Sequence, residues 1–226
     1  MKAIILAAGV GSRIGHRLPK CLTELPNGKT LLENQIELLN QNGINEIIIV
    51  VGFKKELIME YYPDALYRYN PLFHVTNTAK SLMMAFQNAT PDDTLWLNGD
   101  VFLESAVLQR VIETPGNVVA VNTAAVGEEE VKYRTNADGF IVEISKKVTD
   151  AEGEAVGVNK ISQQDFLIFY DMLKECSPHD YFERAMELAI ARGVQFVPVN
   201  VGDLKCVEID FRKDLELVRR FFKEKD

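Results

Sequence analysis

The chain opens on MKAIILAAGVGSRIGHRLPK, and this stretch restricts the fold more than any other. Lys2 to Ala8 is an apolar run centred on Ile4, Ile5 and Leu6. A short apolar run bounded by glycine reads as a strand buried on both faces of a parallel sheet. Gly9, Gly11 and Gly15 follow at once. Glycine lets the backbone turn sharply and puts no Cβ between the main chain and a ligand. Main-chain N–H groups in such a loop can converge on phosphate oxygens. Arg13 and Lys20 add two positive charges close by. Strand, glycine-rich loop and cations together make a candidate triphosphate site, although Gly9-Val10-Gly11 alone would serve equally well as a plain connection to a helix. Two familiar phosphate motifs are excluded. The pattern G-x-G-x-x-G needs glycine where Ile14 stands, and no G-x-x-x-x-G-K-[ST] string occurs.

The rest of the chain alternates short strands with helices. Thr30 to Asn42 carries leucines and isoleucine at helical spacing and ends at Gly43. Glu46 to Val51 reads as a second buried strand, followed by a helix to about Tyr61 that Pro63 stops, and Ala65 to Tyr69 as a short third strand. This order argues for βαβ units and a parallel sheet. Asn77 or Thr78 can cap the next helix, whose apolar face is Leu82, Met83, Ala85 and Phe86. Thr94 to Asn98 is a further buried strand, and Gly99-Asp100 lies at its carboxyl end, where open parallel sheets bind ligands. A carboxylate there can hold Mg²⁺ against phosphate oxygens. A helix is expected over Ser105 to Glu113, a strand over Asn117 to Ala125, and a solvated turn at Gly127 to Val131. Asp138-Gly139 marks a hairpin whose second strand ends in Lys146-Lys147. A strand over Gly157 to Ile161 returns to the sheet. Helices over Gln164 to Glu175 and Tyr181 to Arg192, a strand over Gln195 to Val199 and a last helix over Asp214 to Lys223 complete the chain.

Composition sets bounds on function. The 226 residues are 47% hydrophobic and 26% charged, with a formal net charge of −8. An acidic chain argues against general nucleic-acid binding, which favours a basic surface. No apolar run approaches a membrane span, the apolar start is too short for a signal peptide, and Cys21, Cys176 and Cys206 show no metal or redox spacing. A cytoplasmic protein with reduced thiols is expected. His16, His74 and His179 have no mutual ligand spacing, and Trp96 and Met83-Met84 read as core.

Ala7-Ala8-Gly9-Val10-Gly11-Ser12-Arg13, followed by Pro19-Lys20, resembles the signature of the nucleotidyltransferases that make nucleoside-diphosphate sugars and related compounds. The run from Arg13 to Leu22 is most similar to the phosphocholine cytidylyltransferase-like branch, and Arg13 and Pro19 are closer together than in many sugar-phosphate members. With the element order, the resemblance implies an α/β fold. The expected architecture is a single-domain Rossmann-like α/β/α sandwich over residues 1–226, with a mainly parallel mixed sheet and a small lid-like β-hairpin excursion over residues 128–150. It implies transfer of a nucleoside monophosphate, CMP from CTP, to a small acceptor bearing a phosphate or phosphonate, with Mg²⁺ as cofactor and pyrophosphate released.

The resemblance also carries residues. Arg13, Lys20, Asp100 and Asp210 are implied in catalysis, and Asp100 and Asp210 as the metal ligands. Leu6, Ala7, Ala8, Gly9, Gly11, Ser12, Asn77, Thr78, Ser81 and Asp100 are implied around the nucleotide. Lys146, Lys147, Tyr181, Glu183 and Glu208 are implied around the acceptor, with either lysine on its phosphate because successive strand side chains face opposite ways. Tyr69, Phe73, Tyr133, Tyr181 and Phe182 are the aromatics expected near a cationic head group. The expected partners are a nucleoside triphosphate and a small phosphorylated acceptor, with no nucleic acid and no membrane, and a homodimer is left open. Three alternatives stand beside this reading: a sugar-1-phosphate thymidylyl-, uridylyl- or guanylyltransferase, a metal-dependent glycosyltransferase with a similar sheet, and a non-catalytic nucleotide sensor.

Overall fold

The computed structural model describes residues 1–10, 18–124, 126–127 and 130–223. Strand β1 (Lys2–Ala7) is buried along its whole length, as its unbroken apolar run requires. It lies between β2 (Ile47–Val51) and β4 (Thr94–Asn98), parallel to both, and β3 (Leu66–Tyr69) extends the sheet beyond β2. On the other side of β4 runs β9 (Gly153–Ile161), antiparallel to β4 and to β6 (Asn117–Asn122), and β10 (Phe196–Asn200) closes that edge parallel to β6. The spatial order is β10-β6-β9-β4-β1-β2-β3, a mixed and mainly parallel sheet.

Alternate residues of β1 feed two cores. Ile4 and Leu6 pack with Leu82 and Phe86 of α3 (Thr78–Phe86), Phe169 of α5 (Phe166–Glu175) and Phe182 of α6 (Phe182–Ala191). Ala3, Ile5 and Ala7 pack on the opposite face with Leu32 and Leu39 of α1 (Leu31–Gln41), Ile58 of α2 (Lys55–Tyr61) and Val107 of α4 (Ser105–Glu113). This is the expected α/β/α sandwich, because a sheet with two apolar faces must be covered on both. Thr30 starts α1 by accepting from the Glu33 N–H at 3.0 Å, and Asn77 starts α3 by accepting from the Thr78 N–H at 2.9 Å.

Several boundaries differ from the sequence reading. The returning strand begins at Gly153 rather than Gly157, and the strand from Asn117 stops at Asn122. Strand β5 (Val101–Leu103) was not anticipated: it pairs antiparallel with β11 (Cys206–Glu208) in a separate two-stranded sheet. That sheet and α7 (Arg212–Lys223) share a third small core of Leu25, Leu31, Phe102, Ile209 and Val218. The expected hairpin is formed by β7 (Lys132–Thr135) and β8 (Ile141–Ser145), off the main path of the sheet; β7 also pairs with β9, and Tyr133, Ile141 and Ile144 are buried in the larger core. Among the described residues, no helix is long and apolar enough to cross a membrane.

Candidate active site

The chain leaves β1 toward β2 on one side and later returns to β4 on the other. A reversal of this kind opens a crevice beyond the carboxyl ends of the two strands. A cavity of about 870 Å³ lies there, lined by Leu6, Ala7, Gly9 and Val10 from the first strand and its loop and by Asn98, Gly99 and Asp100 from the fourth. Two glycines shape it. The Gly99 N–H donates to the Leu6 carbonyl at 3.0 Å, and a Cβ at Gly99 would lie 2.7 Å from that same oxygen. Only glycine lets the turn after β4 close against β1 and present Asp100. A Cβ at Gly9 would meet no described atom within 4 Å, so its absence keeps clear the cavity that Gly9 lines.

Gln35 holds the same turn from behind. It is fully buried on α1, and its Nε2 donates to the Asn98 carbonyl at 2.9 Å and to the Val101 carbonyl at 2.7 Å. These two carbonyls bracket Gly99-Asp100. Asp210 arrives from the far end of the chain: β11 pairs with β5, and the Ile209 N–H donates to the Asp100 carbonyl at 2.9 Å. Asp214 accepts from the Asp210 N–H at 3.1 Å and the Phe211 N–H at 2.7 Å, fixing the entry to α7.

Lys20 meets the two aspartates. It stands on a single 3₁₀ turn, Lys20–Leu22, anchored by the buried Cys21 and Leu22. Its Nζ donates to Asp100 Oδ2 at 3.0 Å and to Asp210 Oδ1. Burial pulls the ammonium's pKa down, but the charges and hydrogen bonds of Asp100 and Asp210 outweigh burial, and the net shift is upward. Lys20 is therefore a fixed cation at the mouth of the glycine-rich loop.

Carboxylate oxygens of Asp100, Glu208 and Asp210 all lie within 4.8 Å of one another. The structure thus places Glu208, expected around the acceptor, beside the two aspartates in the same cavity. Burial, then repulsion from Asp100, Asp210 and Glu130, pushes the Glu208 carboxyl well above the usual carboxylate range, against the pull of Lys20. Three hard oxygen donors crowded at one spot suit a hard divalent cation such as Mg²⁺, which would relieve their mutual repulsion. Sequence reasoning also missed Glu130, which was read as part of a solvated run. It lines the cavity, and burial, followed by the charges of Glu154 and Asp210, raises its pKa. A run of three consecutive glutamates carries no signal that Glu130 lines a cavity.

The opposite wall comes from α3 and α6. Asn77 and Thr78 line the cavity, and both are tied to the segment before α6. The Asn77 N–H donates to the Pro178 carbonyl at 2.8 Å, and Thr78 Oγ1 accepts from the Phe182 N–H at 3.0 Å. Lys146, Tyr181, Phe182 and Glu183 complete this wall. Lys146 Nζ sits over the Tyr181 ring, 5.2 Å from its centroid. Burial raises the Glu183 pKa to about 7.

Not every expected residue reaches the cavity. Ala8 is buried behind it, its carbonyl accepting from the Phe53 N–H at 3.1 Å. Ser81 lies a turn deeper in α3, where its buried Oγ accepts from Asn70 Nδ2 at 3.0 Å. Lys147, one position past Lys146, is not part of the lining. Tyr133 is in the core, and Tyr69 and Phe73 lie off the cavity, since β3 is the sheet edge on the far side of β2. Gly11, Ser12, Arg13, Gly15 and His16 lie outside the described residues.

Comparison with known proteins gives consistent likenesses. Residues 3–165 match the family described as the MobA-like NTP transferase domain. The chain is 26% identical over 251 aligned residues to the CTP:phosphoglutamine cytidylyltransferase of Campylobacter jejuni, spanning 96% of this chain and 98% of that one. It is 54% identical over 59 residues to the choline-phosphate cytidylyltransferase of Streptococcus pneumoniae, a quarter of either chain at 25% each. The solved structure of CTP:phosphocholine cytidylyltransferase from Streptococcus pneumoniae superposes with a TM-score of 0.77 over 98% of both chains at 21% identity, a shared fold.

Proposed function

Because the chain belongs to the MobA-like NTP transferase family, we propose that it transfers a cytidylyl group from CTP to a small acceptor bearing a phosphate or phosphonate, releasing pyrophosphate. The observation that carries this reading is the meeting of Lys20 with Asp100, Glu208 and Asp210 beside a glycine-lined loop at the switch point of the sheet. The cytidylyl choice rests on the relatives, named as a CTP:phosphoglutamine cytidylyltransferase and a choline-phosphate cytidylyltransferase, and on the resemblance of the run from Arg13 to Leu22 to the phosphocholine-type branch.

The acceptor supplies its own nucleophile. An anionic phosphate or phosphonate oxygen forms the new bond to the α-phosphorus while the bond from that phosphorus to the β-phosphate's bridging oxygen breaks, and pyrophosphate takes the electron pair. The attacking oxygen is already charged near neutral pH, so no strong general base is needed. The chemistry reduces to in-line positioning and charge stabilisation. Asp100, Glu208 and Asp210 would hold Mg²⁺, which when bound supplies charge neutralisation at the phosphates. Lys20, pinned before substrate arrives, stabilises the negative charge that builds at the α-phosphate. Arg13 is assigned the leaving pyrophosphate from the family resemblance, and Lys146 the acceptor's phosphate.

A pyrophosphate-release assay tests this. CTP, UTP, dTTP, ATP and GTP are each paired with phosphocholine, 2-aminoethylphosphonate and glucose 1-phosphate. Release with CTP and an alkyl phosphate or phosphonate is expected. Asp100→Asn and Asp210→Asn should each lose about a hundredfold or more in kcat with an unchanged circular-dichroism spectrum. Preference for glucose 1-phosphate with dTTP or UTP would sink the cytidylyl assignment.

A further inference from the structure

The acceptor wall holds one polar atom with nothing to do. Glu183 lines the cavity, and its Oε2 is sealed from bulk solvent with no hydrogen-bond partner among the described residues. A buried acceptor atom in this position is costly unless a ligand supplies a donor. Lys146 is the neighbouring cation whose charge Glu183 feels, but Nζ of Lys146 rests on the Tyr181 ring.

Among the described residues, three aromatic side chains line the cavity: Tyr181, Phe182 and Phe211. Tyr181 carries Lys146 on its face, and Phe211 carries Lys213 Nζ at 5.4 Å from its centroid. Phe182 is buried and meets Trp96 edge-to-face, with centroids 5.8 Å apart. A quaternary ammonium is recognised by free aromatic faces surrounding it. Among the described residues, each of these rings already has a lysine or another ring beside it. The cavity offers a carboxylate oxygen lacking a donor, and a quaternary ammonium has no N–H to give.

We propose that the acceptor carries a protonated primary amine, with Glu183 Oε2 receiving its N–H in the cavity. This specificity rests on the phosphate-acceptor reading above and narrows it: a primary ammonium on a short chain from the phosphate or phosphonate, not a trimethylammonium.

The N-methyl series of phosphoethanolamine isolates the point, because charge stays constant while N–H donors fall stepwise to none in phosphocholine. With CTP and pyrophosphate readout, kcat/KM should be highest for phosphoethanolamine and fall by on the order of a hundredfold by phosphocholine. Glu183→Gln, which keeps shape and removes charge, should flatten the series, chiefly by raising KM for the primary amine. Phosphocholine as the best substrate, a flat series in the unaltered protein, or turnover confined to sugar phosphates would each overturn the proposal while leaving nucleotidyl transfer standing. No pyrophosphate from CTP with any acceptor would overturn both.

Discussion

Lys20 bears the strongest functional claim of any single side chain. Its ammonium is held by carboxylates from positions 80 and 190 residues away in sequence, so its location is fixed by the fold rather than by its own flexible stem. A charge placed in advance costs no reorganisation when negative charge develops, which is why such groups act on the transition state more than on the ground state. Lys20→Ala should therefore lower kcat by about a hundredfold while changing KM by much less. Steady-state kinetics at saturating triphosphate decides this: if only KM rises, Lys20 is a binding residue. Lys146 presents a contrasting lysine, exposed and resting on an aromatic face.

At the scale of elements, the site depends on how firmly the β4–β5 turn is held. Gly99 seats it on β1, Gln35 of α1 caps its carbonyls, and β11 pairs along its far side. Replacing Gln35 by leucine fits the buried space but leaves the Asn98 and Val101 carbonyls unpaired. At about 1–3 kcal/mol for each stranded group, a loss of roughly 2–6 kcal/mol in unfolding free energy is expected. The protein that still folds should need more divalent cation for half-maximal turnover, because Asp100 is no longer set. Urea unfolding and a cation titration measure the two effects separately. A variant with lowered stability but an unchanged cation requirement would reduce Gln35 to a packing role.

For the whole molecule, stability should depend on pH through Glu183. Burial raises its folded pKa from 4.5 to about 7. Between these values the folded chain holds a proton that the unfolded chain has released, so stability falls as pH rises. The contribution is fully present below about 4.5 and is lost as pH passes about 7. Its size is up to about 3 kcal/mol. Glu183→Gln removes the titration. Without substrate, the variant should be more stable than the unaltered chain at pH 8 and should differ little from it near pH 4.5. Denaturant midpoints across this range check it, and parallel curves for the two proteins would refute it.

The reach of the sequence follows from what is local. β1, β2 and β4 were legible because a strand buried on both faces carries a nearly continuous apolar run, and the start of α3 because a cap is a contact between chain neighbours. Lys20, Asp100 and Asp210 were named on the strength of family resemblance and position at strand ends, and the fold brings them together. What sequence did not yield depends on contacts between distant segments. Strand β5 exists only because β11 returns to pair with it, and Glu208 joins the aspartates through that same pairing. Glu130 turns inward beside Glu154, Ser81 is absorbed by Asn70, and Gln35 finds its carbonyls across the sheet layer. The single strands were fixed by periodicity and burial, which each segment carries in itself. That Glu208 lies beside the two aspartates, and that Lys146 rather than Lys147 lines the cavity, follows only from how distant segments pack in three dimensions.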